Sequence, residues 1–525
     1  MHTSIEQALQ RFWELENIGI TDTPDKNESS DKVKILSSNP ELLKKYSEII
    51  EEQERKGFIE KVPEDTTTSS VVHYIPHHYV KKDSSTTPIR IIYYCSCRES
   101  RDKPSLNDCL DSTQLILNDL TSVLTRFRLH EFAITTDIEK AFLHFGLHEN
   151  DRDATRFLWL KDPNDLNSSL VPYRFKAVLF GATCSPFILN ATILKHLQNK
   201  NSTSAGILRR DLCVDNVISS FASETDAIEY FRESRKIMMD AGMKLRSWAS
   251  NSKLLHTEAM HNGLHDSDDL KKLLGLRWDP MNDKLSFAKR EIPKIETVTK
   301  RLILQYSSQI YDPLGILSPV TVRAKILLQS LWKQRYEWDN PVPDEICKTW
   351  NSLANDLNIA LSVQFPRKYF NKVDGETTLH IFADASTKSY GAAAYICNRS
   401  ESKLVMAKNT VAPLKSLTFP QLELMAALNV ARLGNHLQNS LPKMNIVYWS
   451  DSQIVLHWLS SKRLLKKFVS SRIFEIRELR SAFTWKYCPT HDNPADLLTR
   501  GLDATSFMNS ALWKHGPSWI YNREA

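Results

Sequence analysis

Four acidic residues in the last third of the chain stand where strand-like and helix-like runs meet, and this constrains the fold more than any other feature. Asp384 ends an apolar run, Leu379, Ile381, Phe382 and Ala383, that reads as a buried strand. Glu423 lies in a helix whose apolar face is Leu424, Ala427, Leu428 and Ala431, at helical spacing. Asp451 follows the strand-like Ile446, Val447, Tyr448 and Trp449, and Asp496 opens a helix after the Asn493-Pro494 break. Strand ends and helix starts let side chains converge on one point. Carboxylates so close together do not all ionise unless cations bind among them. Two Mg²⁺ or Mn²⁺ ions roughly 4 Å apart would answer that repulsion and clamp a phosphodiester for attack by water. Four unrelated surface acids are the plainer alternative, and their placement in strongly patterned segments argues against it.

A chain of 525 residues is too long for one core, so three or four domains are expected. With 42% apolar and 25% charged residues it is an ordinary globular protein. A net charge of +6 permits nucleic-acid binding without arguing for it. The basic run from Lys462 to Lys467 has two readings, a solvated helix face and a contact to hybrid phosphates. Eight scattered cysteines without a C-x-x-C pair exclude zinc knuckles and give no disulfide framework. Reduced thiols in a cytoplasmic (particle-associated) or nuclear setting are the simple expectation. No apolar run approaches membrane-spanning length, and the N-terminus does not read as a signal peptide. The stretches 65–70 and 83–88 read as loops, and a helix is expected over Pro40 to Lys56 with Gly57 as its stop.

A second acidic pair lies in the middle of the chain. An apolar strand, Phe132 to Ile134, delivers Asp137, and Asp215 sits between two apolar runs as in a hairpin turn. Two aspartates on adjacent strand ends suit nucleotidyl transfer, where one Mg²⁺ meets the primer hydroxyl and another the incoming triphosphate.

The segments FADAS, LELMAAL, WSDSQIVLHW and NPADLLTRG resemble, in order, the ribonuclease H blocks of BEL/Pao-family retrotransposon polyproteins. RFWELENIG, HYIPHHYVKKDS, PSLNDCL, the block from Leu124 through Trp159, FGATCSPFILNATIL and LLGLRWD are similar to the same family's reverse transcriptase. The resemblance implies an α+β and α/β multidomain protein: right-hand polymerase fingers and palm, a helical connection, then a ribonuclease H-like α/β domain. It implies that Asp384, Glu423, Asp451 and Asp496 bind the metals that cut the RNA strand of an RNA–DNA hybrid. His491 is either a shuttle for product protons or a loop histidine. Asp137 and Asp215 become the polymerase metal aspartates, and Phe142 is either the aromatic gate under the sugar or a core phenylalanine. Lys81 and Arg90 would pair with the triphosphate, and Gly181 would lie in the loop under the templating base pair. The implied cofactor is Mg²⁺ or Mn²⁺, two per active site. The implied partners are RNA template, DNA primer, RNA–DNA hybrid and deoxynucleoside triphosphates.

Three departures weaken the polymerase expectation. The family's tyrosine-x-Asp-Asp turn is Cys213-Val214-Asp215-Asn216, so one carboxylate is an amide and cation affinity falls. Tyr94 stands where an acid usually follows Arg90. Ser247 stands where a lysine usually meets the pyrophosphate, with Lys244 out of register. The expected organisation is a lead-in at 1–70, fingers and palm at 71–285, a connection at 286–370, the nuclease at 371–505 and a tail at 506–525. In the connection, Asp312-Pro313-Leu314-Gly315 is a turn leading to a long amphipathic helix through Trp332, and Trp332, Trp338 and Trp350 are core residues or nucleic-acid platforms. This region carries the family name Pao retrotransposon peptidase. An aspartic peptidase needs Asp-Thr-Gly or Asp-Ser-Gly, and neither occurs. The expectation is the central piece of a longer polyprotein, with an inert remnant that only binds nucleic acid as its main rival. An unrelated interaction protein with decorative surface acids is a further rival. Oligomeric state and template preference are not legible.

Overall fold

The computed structural model describes residues 39–63, 72–81, 89–98, 100, 102–111, 117–165, 168–266, 268–288, 290–370, 376–463, 465–479 and 484–521. The RFWELENIG block, the loops at 65–70 and 83–88 and Leu464 lie outside these residues, as does the side chain of Lys81. Among the described residues no helix is long and apolar enough to cross a membrane.

The first described helix, Pro40–Arg55, begins at an Asn39 cap whose side chain accepts from Leu42 N, and Gly57 at φ 73° ends it as expected. It packs Leu43, Tyr46 and Ile50 onto a small fingers body. That body holds strands β1 (Ile59–Lys61), β2 (His77–Lys81), β3 (Ile89–Tyr93), β5 (Arg156–Leu160) and β6 (Leu170–Phe175). β2 and β3 form an antiparallel ribbon, and β1, β6 and β5 a separate sheet.

The palm sheet has the order β7-β8-β4-β9, from β4 (Phe132–Ile138), β7 (Leu212–Cys213), β8 (Asn216–Phe221) and β9 (Leu245–Ser250). Helices Ser185–Gln198, Thr203–Asp211 and Glu224–Met239 cover one side through Leu189, Leu208, Phe231 and Met238. On the other side, helix Leu120–Phe127 lies between the palm and the rest of the chain. A further sheet has the order β10-β11-β12-β13, from β10 (Lys271–Leu273), β11 (Leu276–Asp279), β12 (Lys284–Phe287) and β13 (Gln364–Pro366).

Two of the expected boundaries cut through elements. The division at 285/286 falls inside β12, which pairs with β13 from the end of the connection. The division at 505/506 falls inside helix Ala504–Asn509. The chain beyond it is no loose tail, because Trp513 is buried and donates from Nε1 to Ile316 O at 2.9 Å. The physical reason is shared: one hydrophobic core runs from Phe127 and Ile218 through Trp350 and Leu357 to Ile381, Ala393 and Trp513.

The connection docks on the nuclease by the expected Asp312–Gly315 turn. The buried Asp312 carboxylate accepts from Ile316 N at 2.9 Å and Leu317 N at 2.6 Å, and Leu314 O accepts from Ala407 N at 2.9 Å. Gly315 has φ 70°, and a Cβ there would run into the Ala407 carbonyl. Asp312 is therefore a structural clasp. Trp350 is fully buried, while Trp332 and Trp338 hold the Lys300 ammonium 4.4 and 4.6 Å from their ring centres.

The nuclease sheet has the order β16-β15-β14-β17-β18: β14 (Thr378–Ala385), β15 (Ser389–Cys397), β16 (Ser402–Val411), β17 (Asn445–Ser450) and β18 (Thr484–Tyr487). β14, β15 and β16 are antiparallel neighbours, whereas β17 runs parallel to β14 and β18 parallel to β17. Helix Phe419–Ser440 lies against β14 and β15 and packs Leu424, Ala427, Leu428 and Ala431 against Val455, Ile473 and Ile476 of the following helices. This apolar face is the one expected from the sequence.

Two buried guanidinium groups join palm to nuclease. Arg367 donates to Phe127 O (2.5 Å), His130 O (2.9 Å) and Glu131 O (2.7 Å), and pairs with Asp283 at 2.6 Å. Arg128 donates to Arg367 O at 3.0 Å and Leu404 O at 3.3 Å, and lies 4.3 Å from the Tyr369 ring centre. Arg367→Met strips partners from three carbonyls and one carboxylate in a dry site, a loss of about 3–5 kcal/mol. We expect a drop of several degrees in melting temperature by calorimetry; an unchanged Tm would show that the junction is dispensable.

Candidate active site

The parallel pairing of β14 with β17 sets the geometry of the nuclease acids. Ala383 is opposite Ser450, so Asp384 and Asp451 leave adjacent strands side by side. Glu423 reaches them from the second turn of helix Phe419–Ser440, whose start is fixed by Pro420 and by Gln421 Oε1 accepting from Thr418 N at 2.9 Å. Ligand oxygens of Asp384, Glu423 and Asp451 all lie within 4.8 Å of one another. Asp384 and Glu423 are only 3% and 4% exposed. Burial, reinforced by the neighbouring carboxylates, pushes Asp384 up to about 7 and Glu423 up to about 9. Burial also raises Asp451.

Asp496 opens helix Asp496–Arg500 as expected, but it stands outside the three-acid group and pairs with Arg500 at 2.7 Å. Its charge still raises the other three. His491 is 81% exposed and 3.6 Å from Asp492.

Three supporting residues escaped the sequence reading. Thr499 Oγ1 donates to Asp384 Oδ2 at 2.5 Å, and Asn493 Nδ2 donates to Ala383 O at 2.8 Å, so both fix the strand end. Arg500 is the third. The signal was available for two of them: Thr499 and Arg500 lie three and four residues after Asp496, on its face of the helix.

These acids fit divalent cations. Glu423 Oε2 and Asp451 Oδ1 are buried without a hydrogen-bond partner where three carboxylates converge. Oxygen donors of this kind suit Mg²⁺ or Mn²⁺.

The palm pair is differently surrounded. Asp137 lies opposite Asn216 on one neighbouring strand and opposite Arg246 on the other. Its Oδ2 is 3.4 Å from Arg246 Nε, which also places NH1 3.9 Å from Glu139. Asp215 occupies the β7–β8 turn beside Val214 at φ 56°, and Asn216 Nδ2 donates to its Oδ1 at 2.7 Å. Burial raises Asp215, Asp137 raises it further, and Arg90 opposes the rise. Arg246 faces one oxygen of Asp137, and the other, Oδ1, is buried without a hydrogen-bond partner.

Arg90, on β3, lies 4.9 Å from the Phe180 ring centre, and Phe180 meets Phe142 edge-on at 4.9 Å. Phe142 is buried in the palm core. Gly181, at φ 98°, passes so close to β3 that a Cβ would sit 2.9 Å from Tyr93 O. Asn107 of the PSLNDCL block braces this loop, donating to Gly181 O at 3.0 Å and accepting from Thr183 N at 3.0 Å. Tyr94 stacks on His78 with ring centres 4.7 Å apart. Lys81 closes β2.

Raised carboxyl pKa values bear on stability. The folded chain binds protons that the unfolded chain has lost, so stability falls as pH rises from the ordinary glutamate value of 4.5 toward about 9. Without divalent cations, the melting temperature should fall between about pH 5 and about pH 9. Mn²⁺ should reverse that fall, and Glu423→Gln should flatten it; a pH-independent Tm would contradict the buried cluster.

Residues 299–452 match the family model described as Pao retrotransposon-like RNaseH-like domain. No curated protein matches the sequence. The fold is similar to a foamy viral protease-reverse transcriptase dRH in complex with ds DNA, at TM-score 0.57 and 15% identity, covering 85% of this chain and 69% of that one. It is also similar to a foamy viral protease-reverse transcriptase in complex with dsDNA (0.54, 15%, 85% and 82%) and to one in complex with RNA/DNA hybrid (0.56, 14%, 86% and 54%). The chain thus has the fold of these reverse transcriptases, and its residues 299–452 match a Pao retrotransposon-like RNaseH-like domain.

Proposed function

We propose that the protein is a ribonuclease acting on the RNA strand of RNA–DNA hybrids, with a reverse-transcriptase palm that holds the primer–template duplex. The observation that carries this reading is the convergence of Asp384, Glu423 and Asp451, the first two buried, with Glu423 Oε2 and Asp451 Oδ1 unpartnered. Bound divalent cations would supply Lewis-acid stabilisation and an activated water at the phosphodiester. The chain's own residues do the positioning. Thr499 holds one Asp384 oxygen and leaves the other turned to the cluster. Asn493 fixes the end of β14, and helix Phe419–Ser440 sets the depth of Glu423. Arg500 keeps Asp496 at the rim. His491, exposed beside Asp492, would exchange product protons with solvent. Hybrid binding would run largely through phosphate and sugar contacts, without sequence preference. The BEL/Pao resemblance of the motif blocks supports the same reading.

RNA-directed DNA polymerisation, through Asp137 and Asp215 with Arg90, Lys81, Phe142 and Gly181 around a deoxynucleoside triphosphate, is the second activity the fold suggests. The Asp137–Arg246 pair, Asn216 and Tyr94 favour a palm that binds duplex and extends poorly or not at all.

One labelled hybrid with a primer terminus, Mg²⁺ and deoxynucleotides reads both activities. We expect RNA cleavage that Glu423→Gln or Asp384→Asn lowers about a hundredfold or more, with little extension. Cleavage indifferent to both substitutions would refute the nuclease assignment. Extension abolished by Asp137→Asn would restore the polymerase to full standing.

A further inference from the structure

The palm has a feature that its similarity to polymerases does not require: a fixed positive charge laid against its first aspartate. Asp137 and Arg246 are directly opposed on the antiparallel strands β4 and β9, where facing side chains interact. Arg246 Nε is 3.4 Å from Asp137 Oδ2, and its NH1 reaches toward Glu139 at 3.9 Å. The pairing depends on a local irregularity. The β4–β9 register shifts between Thr135 and Asp137, and Ser247 next door has φ 51°, a conformation uncommon for a residue with a side chain. The bulge gives position 246 its place beside Asp137.

We propose that the Arg246 guanidinium takes the place of a divalent cation at Asp137, so that the palm holds nucleic acid without a bound metal pair. This rests on the reading of the palm as a duplex-binding site and is independent of the nuclease assignment. Three further observations bear on it. Asn216 replaces a carboxylate and gives its amide hydrogen to Asp215 at 2.7 Å. Tyr94, in another expected acid position, stacks on His78. Arg246 meets Asp137 at Oδ2, while Asp137 Oδ1 is buried without a hydrogen-bond partner. Arginine suits the part because it stays protonated at any accessible pH and cannot vacate its charge.

Arg246 is about half exposed, and pairs that exposed contribute little to stability, so its replacement leaves a folded protein. Mn²⁺ uptake by the full chain, followed by loss of the free-ion EPR signal, tests the idea. The wild-type chain should bind Mn²⁺ at the nuclease alone, with uptake lost on Glu423→Gln plus Asp384→Asn and unchanged by Asp137→Asn. Arg246→Gln should add palm binding, tightened roughly tenfold or more by removal of a unit charge beside the ion. Adding Asp137→Asn to Arg246→Gln should remove that binding, and Arg246→Lys should not create it. Nuclease-bound Mn²⁺ in every Arg246 variant reports an intact fold. The proposal is overturned if Asp137→Asn lowers wild-type uptake, or if Arg246→Gln binds no more Mn²⁺ than the wild type. Failure of the nuclease reading would appear separately, as wild-type uptake indifferent to Glu423→Gln.

Discussion

Two arginine side chains, buried where the palm, the connection and the nuclease meet, hold the rest of the molecule in register. Arg367 satisfies three backbone carbonyls at the end of helix Leu120–Phe127, and Arg128 answers by donating to Arg367 O and to Leu404 O on β16. Buried cations are tolerated only when every donor finds a partner, and here those partners come from all three regions. Thr121 and Ser122 extend the seam by hydrogen bonds to His436 and Ser440 on the helix that carries Glu423. The palm and the helix that carries Glu423 are therefore directly coupled through hydrogen bonds and one apolar core.

On that frame sit two acidic centres with opposite electrostatics. In the nuclease, three carboxylates converge in a buried pocket, and burial drives their protons back on. Such a pocket is unfavourable alone and becomes favourable around cations, as strained functional sites often are. In the palm, Arg246 pairs with Asp137, and Arg90 opposes the rise that burial imposes on Asp215. The same physics thus gives one centre of converging carboxylates and one in which an aspartate is paired with an arginine.

The nuclease acids were legible because each marks an abrupt change of period, from strand alternation or helical spacing to a turn. Register then brings Asp384 beside Asp451, and a sequence shows register only indirectly. Asp496 was legible as a helix start, yet its salt bridge to Arg500, which sets it apart from the other three, depends on a side-chain rotamer. Arg246 was not legible: the family resemblance pointed to Ser247, and the register shift that sets Arg246 opposite Asp137 shows only in the strand pairing. The boundaries at 285/286 and 505/506 missed because a core shared across segments leaves no polar or glycine-rich gap to read. Trp513 makes the case, since its buried contact to Ile316 spans almost two hundred residues.

Which of the two acidic centres takes up divalent metal decides between them. Crystals of the full chain grown with Mn²⁺ and measured at the manganese absorption edge would locate it directly. The expected map has anomalous density bounded by Asp384, Glu423 and Asp451. A map empty there, or with its strongest peak between Asp137 and Asp215, would contradict the assignment of the nuclease as the metal-dependent centre.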